Sequence, residues 1–295
     1  GLNLLQQYIK EQELTGVILL SPINLHYFAG FTGTTGFAII TEDKAFMITD
    51  FRYTEQATKQ CEGYTVNQYE TTVMDTLVDI FNEHHIHEGL FAIEGKQMPV
   101  DTYESLCDTL DENFDFTSVN FAKLRAVKRE DELELLRIAA NIGDESFAAL
   151  LPQLKVGMTE NEVRIILETE MLKRGSEEPS FATIIASGSR SSMPHGVASD
   201  KVIEAGDFVT IDFGSVYKGY HSDMTRTIVM GPASDLQKKL YSIVLEAQKR
   251  GVAAVRAGIT GKELDAICRD YIKEHGYTKE FNHGTGHGLG LEIHE

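Results

Sequence analysis

Apolar runs alternate with amphipathic segments over the first 122 residues of the chain. Residues 2–14 have the spacing of an amphipathic helix, and further helices are predicted from Tyr53 and Val100. Short apolar runs that predict β-strands lie at residues 16–20, 36–40, 44–49 and 90–94. Strands interleaved with helices predict an α/β domain with a mixed sheet. No residue spacing in this region is typical of a catalytic site.

A basic connector at residues 123–129 separates this region from the rest of the chain. A long helix is predicted directly after it, from about Glu130 to Leu150. The length of the chain also favours about two domains. We therefore predict a first domain at residues 1–122 and a second domain at residues 123–295.

The predicted second domain contains an internal repeat. Residues 156–163 resemble residues 257–264, which begin 101 positions later. Each copy carries Thr-x-x-Glu, the pattern of a helix capping box, and each predicted helix runs to a glycine, Gly175 or Gly276. Two helix starts in register indicate a duplication, and chance similarity between two common caps is the alternative.

The residues after the first copy of the repeat predict a β-hairpin with its turn at residues 216–219. Its polar face carries Asp212 and Asp223, and its other face is apolar, with Val209, Ile211 and Phe213. If the turn centres between residues 217 and 218, the two aspartates lie directly opposite each other, with Cβ atoms about 4.5–5.5 Å apart. Facing carboxylates repel, so the pattern indicates a compensating metal ion, a solvated acidic face or a shared proton.

The last part of the chain contains three histidines among glycines, at His283, His287 and His294. The glycines exclude a stable helix, so the first two are not a helical i, i+4 metal-binding pair. Apolar residues also alternate there as in a half-buried strand, at Leu289, Leu291 and Ile293. This alternation favours a structured segment over a flexible tail.

One of these histidines changes the interpretation of the acidic hairpin. Asp212 and Asp223 together with His287 make an oxygen-rich ligand set, which suits Mn²⁺, Co²⁺, Fe²⁺ or Zn²⁺ better than a thiolate site would. A further histidine, His195, lies in a predicted loop at residues 187–196. Taken alone, such a histidine is more often a structural loop residue than a catalytic one.

The composition disfavours several classes of function. The chain of 295 residues is 42% hydrophobic, and it has no apolar run near the roughly 20 residues that cross a bilayer. Its formal net charge of −18 disfavours nucleic acid and anionic membranes as partners. The three cysteines predict neither a disulfide framework nor a thiolate zinc site. The start lacks the pattern of a signal peptide, so we expect a cytoplasmic location.

Together these motifs resemble the pita-bread metallopeptidases, in the branch of the Xaa-Pro aminopeptidases and prolidases. The resemblance covers nearly the whole chain. It rests on ordered motifs, namely Asn24–Phe31, Pro194-His195-Gly196, Ile211–Gly214, Ser222–Thr227, and His283–Gly290 through His294-Glu295. It implies an α/β (α+β) fold, with an N-terminal creatinase/prolidase-type α/β domain and a C-terminal pita-bread catalytic domain. The catalytic domain would consist of duplicated helix–hairpin units and would be incomplete at its C-terminal end.

The resemblance also implies roles for the site residues. Asp212, Asp223 and His287 would bind two divalent metal ions per subunit, with Asp223 bridging them. Mn²⁺ is the expected metal, and Co²⁺, Zn²⁺ and Fe²⁺ are the other candidates. The remaining histidines would bind substrate or stabilise the transition state, namely His195, His283 and His294. A hydroxide held between the two ions would attack the peptide carbonyl before proline.

The implied activity is that of an Xaa-Pro aminopeptidase, which hydrolyses the bond between an N-terminal residue and a following proline. An Xaa-Pro dipeptidase, or prolidase, is the alternative. A non-catalytic module that binds peptides or proteins on the same scaffold is an alternative from another class, and retention of both aspartates and His287 counts against it. The implied partners are a proline-containing peptide and a second copy in a homodimer, with no nucleic acid and no membrane.

The chain departs from the family pattern at two ligands. The pattern includes two further glutamate ligands, and no matching motif occurs before Glu295. The internal repeat places a second acidic hairpin about one repeat later, in the 310s to 320s. We therefore expect the native protein to continue for several tens of residues. Without the two glutamates, we expect Asp212 and Asp223 to bind metal weakly or to hold a proton, and the chain as given to be inactive.

Overall fold

A computed structural model describes residues 1–193 and 195–295 of the chain. Pro194, part of the motif Pro194-His195-Gly196, lies outside the described residues. The chain divides into two compact units, Gly1–Val127 and Lys128–Glu295. Within the described ranges, no helix combines the length and the apolar character needed to cross a membrane.

The first unit contains a six-stranded sheet with helices between its strands. The strands are β1 Gly16–Leu19, β2 Phe37–Ile40, β3 Ala45–Thr49, β4 Thr65–Gln68, β5 Gly89–Ile93 and β6 Phe114–Ser118. The helices are α1 Leu2–Glu11, α2 Pro22–Ala29, α3 Thr54–Gln60, α4 Val73–Glu83, α5 Val100–Thr109 and α6 Ala122–Arg125. The sheet order is β4-β3-β2-β1-β5-β6, with antiparallel pairs from β1 to β3 and parallel pairs outside them. The predicted α/β domain with a mixed sheet is confirmed.

The central strands of this sheet explain the apolar runs in the sequence. Every residue of β1, β2 and β3 is buried. Side chains of α4 and α5 pack with the sheet in one core, including Leu77, Ile80 and Leu106. Strands that are buried on both faces carry continuous apolar runs instead of a strict alternation.

A buried polar network joins the end of the first unit to its beginning. Glu94 accepts hydrogen bonds from the backbone N–H of Ser21 and from Nδ2 of Asn24. Nη1 of Arg125 donates to the other end of the same amide, Oδ1 of Asn24. Because Arg125 is only 2% exposed and is bonded in this way, residues 123–127, which we placed with the second domain, lie in the first unit.

The second unit combines two helix pairs with a small antiparallel sheet. Its helices are α7 Glu130–Leu150, α8 Glu160–Lys173, α9 Asp235–Ala254 and α10 Gly261–Glu274, with 3₁₀ turns at Leu151–Gln153 and Gly188–Ser192. Its strands are β7 Ile184–Ser187, β8 Phe208–Phe213, β9 Val216–Tyr217, β10 Tyr220–His221 and β11 Met224–Val229. The sheet order is β11-β8-β7, and β9 pairs with β10. The apolar face of β8 packs with residues of α7 and α8 in one core.

The predicted helix starts of the internal repeat are confirmed. Oγ1 of Thr159 accepts a hydrogen bond from the N–H of Glu162 at 3.1 Å, and the Glu162 carboxylate accepts from the N–H of Thr159 at 2.7 Å. Thr260 and Glu263 form the same pair of bonds at 3.2 and 2.8 Å. Both helices, α8 and α10, have 14 residues and are followed by glycines of positive φ, Gly175 at 97° and Gly276 at 91°. The two copies therefore share their local structure.

The register of the acidic hairpin differs from our prediction. Asp212 pairs with Thr225, and the turn lies at Lys218 and Gly219, one position later than we placed it. Both turn residues have positive φ, 47° and 80°, as a two-residue type I′ turn requires. Asp223 is therefore a diagonal neighbour of Asp212 on the same face of the hairpin, not its direct partner.

The final segment, residues 275–295, contains no helix and no strand. The alternation of Leu289, Leu291 and Ile293 resembles that of a half-buried strand, but these residues form none. Four glycines within residues 283–295 weaken any regular element, and Gly290 is bonded irregularly, its carbonyl accepting the N–H of His221 at 2.9 Å. Leu291 is still buried, with 5% exposure, so part of the segment packs against the unit.

Candidate metal centre

The two aspartates are positioned by neighbouring strands of one sheet. Asp212 lies near the end of β8, and Asp223 directly precedes β11. The opposite face of β8 is fully buried through Ile211 and Phe213, each 0% exposed, so the strand cannot rotate without exposing its core side chains. Thr225, opposite Asp212, donates its hydroxyl to Oδ1 of that carboxylate at 3.0 Å.

The Asp212 carboxyl is electrostatically unusual. Burial, and to a smaller extent the neighbouring Asp223 carboxylate, raise its pKa from the ordinary value of 3.8 to about 6. The hydrogen bond from Thr225 and the charge of His287 act in the opposite direction. A carboxyl in this position favours either a proton or a nearby cation.

His287 lies against the same carboxylate pair. Its Nε2 is 3.1 Å from Oδ2 of Asp223, and its side chain is 35% exposed. Its Nδ1 lies 2.9 Å from the carbonyl oxygen of Gly288, which can only accept, so Nδ1 carries the proton. Nε2 is then the nitrogen that faces the Asp223 carboxylate, and it could bind a metal once it carries no proton. A carbonyl bonded to Nδ1 is the usual support of a ligating histidine.

The other predicted histidines lie in different surroundings. The ring of His294 packs edge-on against His287, with centroids 4.2 Å apart. His283 is exposed and makes an edge contact with Phe281 at 4.9 Å. His195 is exposed and follows the 3₁₀ turn at Gly188–Ser192. Of these three histidines, His294 therefore lies next to His287, whose ring contacts Asp223.

The contacts between these groups are pairwise. Asp223 touches His287, and Asp212 is influenced by both of them. Across residues 1–193 and 195–295 there is no group of three histidine, cysteine, aspartate or glutamate side chains arranged to hold a metal ion. Each of the residues Asp212, Asp223 and His287 could supply a ligand, and their role as metal ligands stays a prediction.

The contacts that anchor the histidine segment, residues 275–295, were not predicted from the sequence. Arg269 on α10 donates to the carbonyl oxygens of Phe281 and His283 at 2.6 and 2.7 Å. Asp265 accepts from both the N–H and the hydroxyl of Thr285, and its pKa is lowered to about 2, mainly by Arg269. The spacing of Asp265 and Arg269 on one helix face was the only signal in the sequence.

A second missed contact is an ion pair at the beginning of the unit. Nζ of Lys128 lies 2.8 Å from Oε1 of Glu295, with side chains 10% and 2% exposed. The sequence identified Lys128 only as part of a basic connector. Its partner is distant in the chain, so no local pattern could have indicated the pair.

The chain matches known families over both of its units. Residues 134–295 match metallopeptidase family M24, and residues 2–127 match the creatinase/prolidase N-terminal domain. The chain is 44% identical to the uncharacterized peptidase YqhT of Bacillus subtilis, over 96% of this chain and 80% of that protein.

Solved structures agree with these matches. A structure described as an Xaa-Pro dipeptidase from Bacillus anthracis is 45% identical with a TM-score of 0.94, and the match covers all of this chain and 82% of that one. The X-Pro aminopeptidase from Thermotoga maritima is 37% identical with a TM-score of 0.90, over 96% and 82% of the two chains. The chain therefore belongs to metallopeptidase family M24, with an N-terminal domain of the creatinase/prolidase type.

Proposed function

We propose that this protein is a metal-dependent exopeptidase that hydrolyses the bond between an N-terminal residue and a following proline. The observation that carries the proposal is the contact of His287 with Asp223, on the hairpin face that also carries Asp212. Membership of a metallopeptidase family gives these side chains a catalytic context. Two structural relatives, with 45% and 37% identity, are described as acting on Xaa-Pro bonds.

The chemistry of the donor set fits a divalent cation. Asp212 and Asp223 offer carboxylate oxygens, and His287 offers Nε2, a combination that suits Mn²⁺, Co²⁺, Fe²⁺ and Zn²⁺. The raised pKa of Asp212 is a further argument, because burial and the neighbouring Asp223 carboxylate disfavour its charged form, which a bound cation would stabilise. We propose two ions per subunit, with Mn²⁺ first among the candidates. When bound, such ions supply Lewis acidity, which polarises a carbonyl and makes a water molecule more acidic.

The remaining residues have roles that follow from their donors. Thr225 holds the Asp212 carboxylate in one orientation through its hydroxyl. The Gly288 carbonyl fixes the tautomer of His287, which keeps Nε2 directed at Asp223. We propose that His294, beside His287, and His195 and His283 donate hydrogen bonds to the substrate.

The length of the substrate is the finer question. We placed the aminopeptidase first on sequence grounds, with the dipeptidase as the alternative. The relative described as an Xaa-Pro dipeptidase has the higher identity, 45% against 37% for the aminopeptidase. This difference favours dipeptides as the first substrates to test. We also propose that the protein forms a homodimer, which sedimentation analysis would check.

The decisive assay compares three substrates on the native protein loaded with Mn²⁺: an Xaa-Pro dipeptide, a longer peptide with the same Xaa-Pro start, and an Xaa-Ala dipeptide. We expect hydrolysis of one or both proline substrates and little hydrolysis of the Xaa-Ala control. The ratio between the first two separates dipeptidase from aminopeptidase. Equal hydrolysis of Xaa-Ala, or no hydrolysis with any divalent metal, would overturn the proposal.

A further inference from the structure

A buried carboxylate lies close to the His195 loop and has no role in the proposed chemistry. Glu160 is the first residue of α8, and it is 0% exposed. The second copy of the internal repeat has Gly261 at the equivalent position, while both copies keep the capping glutamates, Glu162 and Glu263. Capping of the helix therefore does not explain Glu160.

The two oxygens of Glu160 bind different parts of the chain. Oε1 accepts hydrogen bonds from the N–H and the hydroxyl of Ser187, both at 2.8 Å. Oε2 accepts from the N–H and the hydroxyl of Ser199, at 3.1 and 2.6 Å. Ser187 ends β7, and Ser199 lies beyond His195. One carboxylate thus joins the two sides of the loop that carries His195.

Further contacts tie the loop to the same carboxylate. Nε of Arg190 lies 3.3 Å from Oε2 of Glu160, and Nη2 of Arg190 donates to the carbonyl oxygen of Val197 at 2.7 Å. Lys201 donates to the hydroxyl of Ser187 at 2.9 Å. Hydrogen bonds to a buried carboxylate are strong and directional, so they hold Ser187, Arg190 and Ser199 in one arrangement.

We propose that Glu160 is a positioning residue, which fixes both sides of the loop so that His195 is presented to the substrate. The inference rests on the proposed function, because it gives His195 a role in binding substrate. Glu160 itself does not touch the reacting atoms. It acts through Ser187, Ser199 and Arg190, which lie on either side of His195.

The test compares Glu160→Gln with Glu162→Gln on the native protein loaded with Mn²⁺. Both variants remove one negative charge from the first turn of α8, so the effects of that charge on the helix end are matched. We expect Glu160→Gln to lower kcat/KM for an Xaa-Pro substrate about 10- to 100-fold, mainly through kcat, because small misplacements of a substrate-binding group are costly. We expect Glu162→Gln to change kcat/KM less than about threefold.

A second arm asks whether Glu160 acts through His195. In a His195→Ala background, Glu160→Gln should cause almost no further loss of kcat/KM, since the group that it positions is gone. A full additional loss in that background would overturn the inference, and so would equal losses from Glu160→Gln and Glu162→Gln. Glu160→Asp, which keeps the charge on a shorter side chain, serves as a further variant and should lose less activity than Glu160→Gln.

A third arm does not depend on activity. The amides of Ser187 and Ser199 donate directly to Glu160, so their hydrogen exchange should become at least tenfold faster in Glu160→Gln and unchanged in Glu162→Gln. Unchanged exchange in both variants would overturn the inference. If the native protein hydrolyses no Xaa-Pro bond while the exchange result holds, the proposed function fails and Glu160 is left as a clamp of the loop.

Discussion

The two halves of the candidate metal centre are held in different ways. Asp212 and Asp223 lie on a hairpin whose first strand, β8, has a completely buried apolar face, so the register of the sheet fixes them. His287 lies in residues 275–295, which form no regular element and are held by individual contacts, such as the hydrogen bonds of Asp265 with Thr285 and the burial of Leu291. The positions of the carboxylates are therefore fixed by the sheet, whereas the position of the imidazole depends on a few contacts of an irregular segment.

This difference teaches where the site is vulnerable. A strand register depends on every pair of the ladder together, so a single surface substitution does not shift it. A segment without regular structure has few cooperative contacts, and it opens locally at lower free energy than the core. We therefore expect substitutions in the core of the hairpin to change the free energy of unfolding most. Substitutions in either half should change the metal affinity.

The largest expected effect is on the core behind the aspartates. Phe213→Ala should lower the free energy of unfolding by about 3–5 kcal/mol, because Phe213 is 0% exposed and packs against Phe147. Phe281→Ala in the histidine segment is the matched control and should cost roughly half as much or less, since Phe281 is only partly buried. Chemical denaturation measures both. Equal losses would show that the two halves are equally part of the core.

The next effect is a pH dependence at Asp212. Its pKa is raised to about 6 in the folded protein by burial and by Asp223, so a proton competes with the metal below that pH. The apparent Mn²⁺ affinity should fall by up to about tenfold per pH unit below 6. Calorimetric titrations between pH 5 and 7.5 would measure this, and a flat profile across that range would contradict the assignment.

The same group affects the metal-free protein in the opposite sense. A raised pKa means that the folded state holds the proton more tightly, so the contribution of Asp212 to stability is complete below the ordinary value of 3.8. This contribution is lost as pH rises through about 6. The free energy of unfolding of the native protein, relative to that of the non-titrating Asp212→Asn, should therefore fall as pH rises from 4 to 7.

The smallest expected effect compares the two copies of the internal repeat. Thr159→Ala and Thr260→Ala each remove a hydroxyl that accepts from the third residue of the helix, at 3.1 and 3.2 Å. Each should cost about 1 kcal/mol, the usual value for such a cap. Thermal unfolding of both variants measures the effect. A difference above about 1 kcal/mol between them would show that the two copies are not equivalent in energy.

Much of the fold could be predicted where the signal is local. The helix starts at Thr159 and Thr260 follow from one four-residue pattern, because all partners of a capping box lie within one turn. The mixed sheet followed from apolar runs of the length of a strand. The hairpin was predicted, but its register was wrong by one residue in the placement of the turn. Gly219, the second residue of a type I′ turn, was the signal that would have corrected it.

The rest of the site depends on contacts between distant parts of the chain. Nothing in the sequence near Glu160 shows that its carboxylate meets Ser187 and Ser199. The pairing of His287 with Asp223 could be suggested only by the chemistry of their side chains, since no spacing rule joins a hairpin to a glycine-rich segment. The ligand set was therefore a hypothesis based on side-chain chemistry. The distances between its members could not be derived from the sequence pattern.

Titration of the native protein with Mn²⁺, followed by calorimetry, tests the central claim that Asp212, Asp223 and His287 hold the metal. Asp223→Asn and His287→Ala should each weaken binding by more than the roughly 10- to 100-fold typical of a residue that only supports a ligand. His283→Ala, which changes an exposed histidine of the same segment, should change the affinity less than tenfold. Unchanged affinity in Asp223→Asn and His287→Ala would contradict the account.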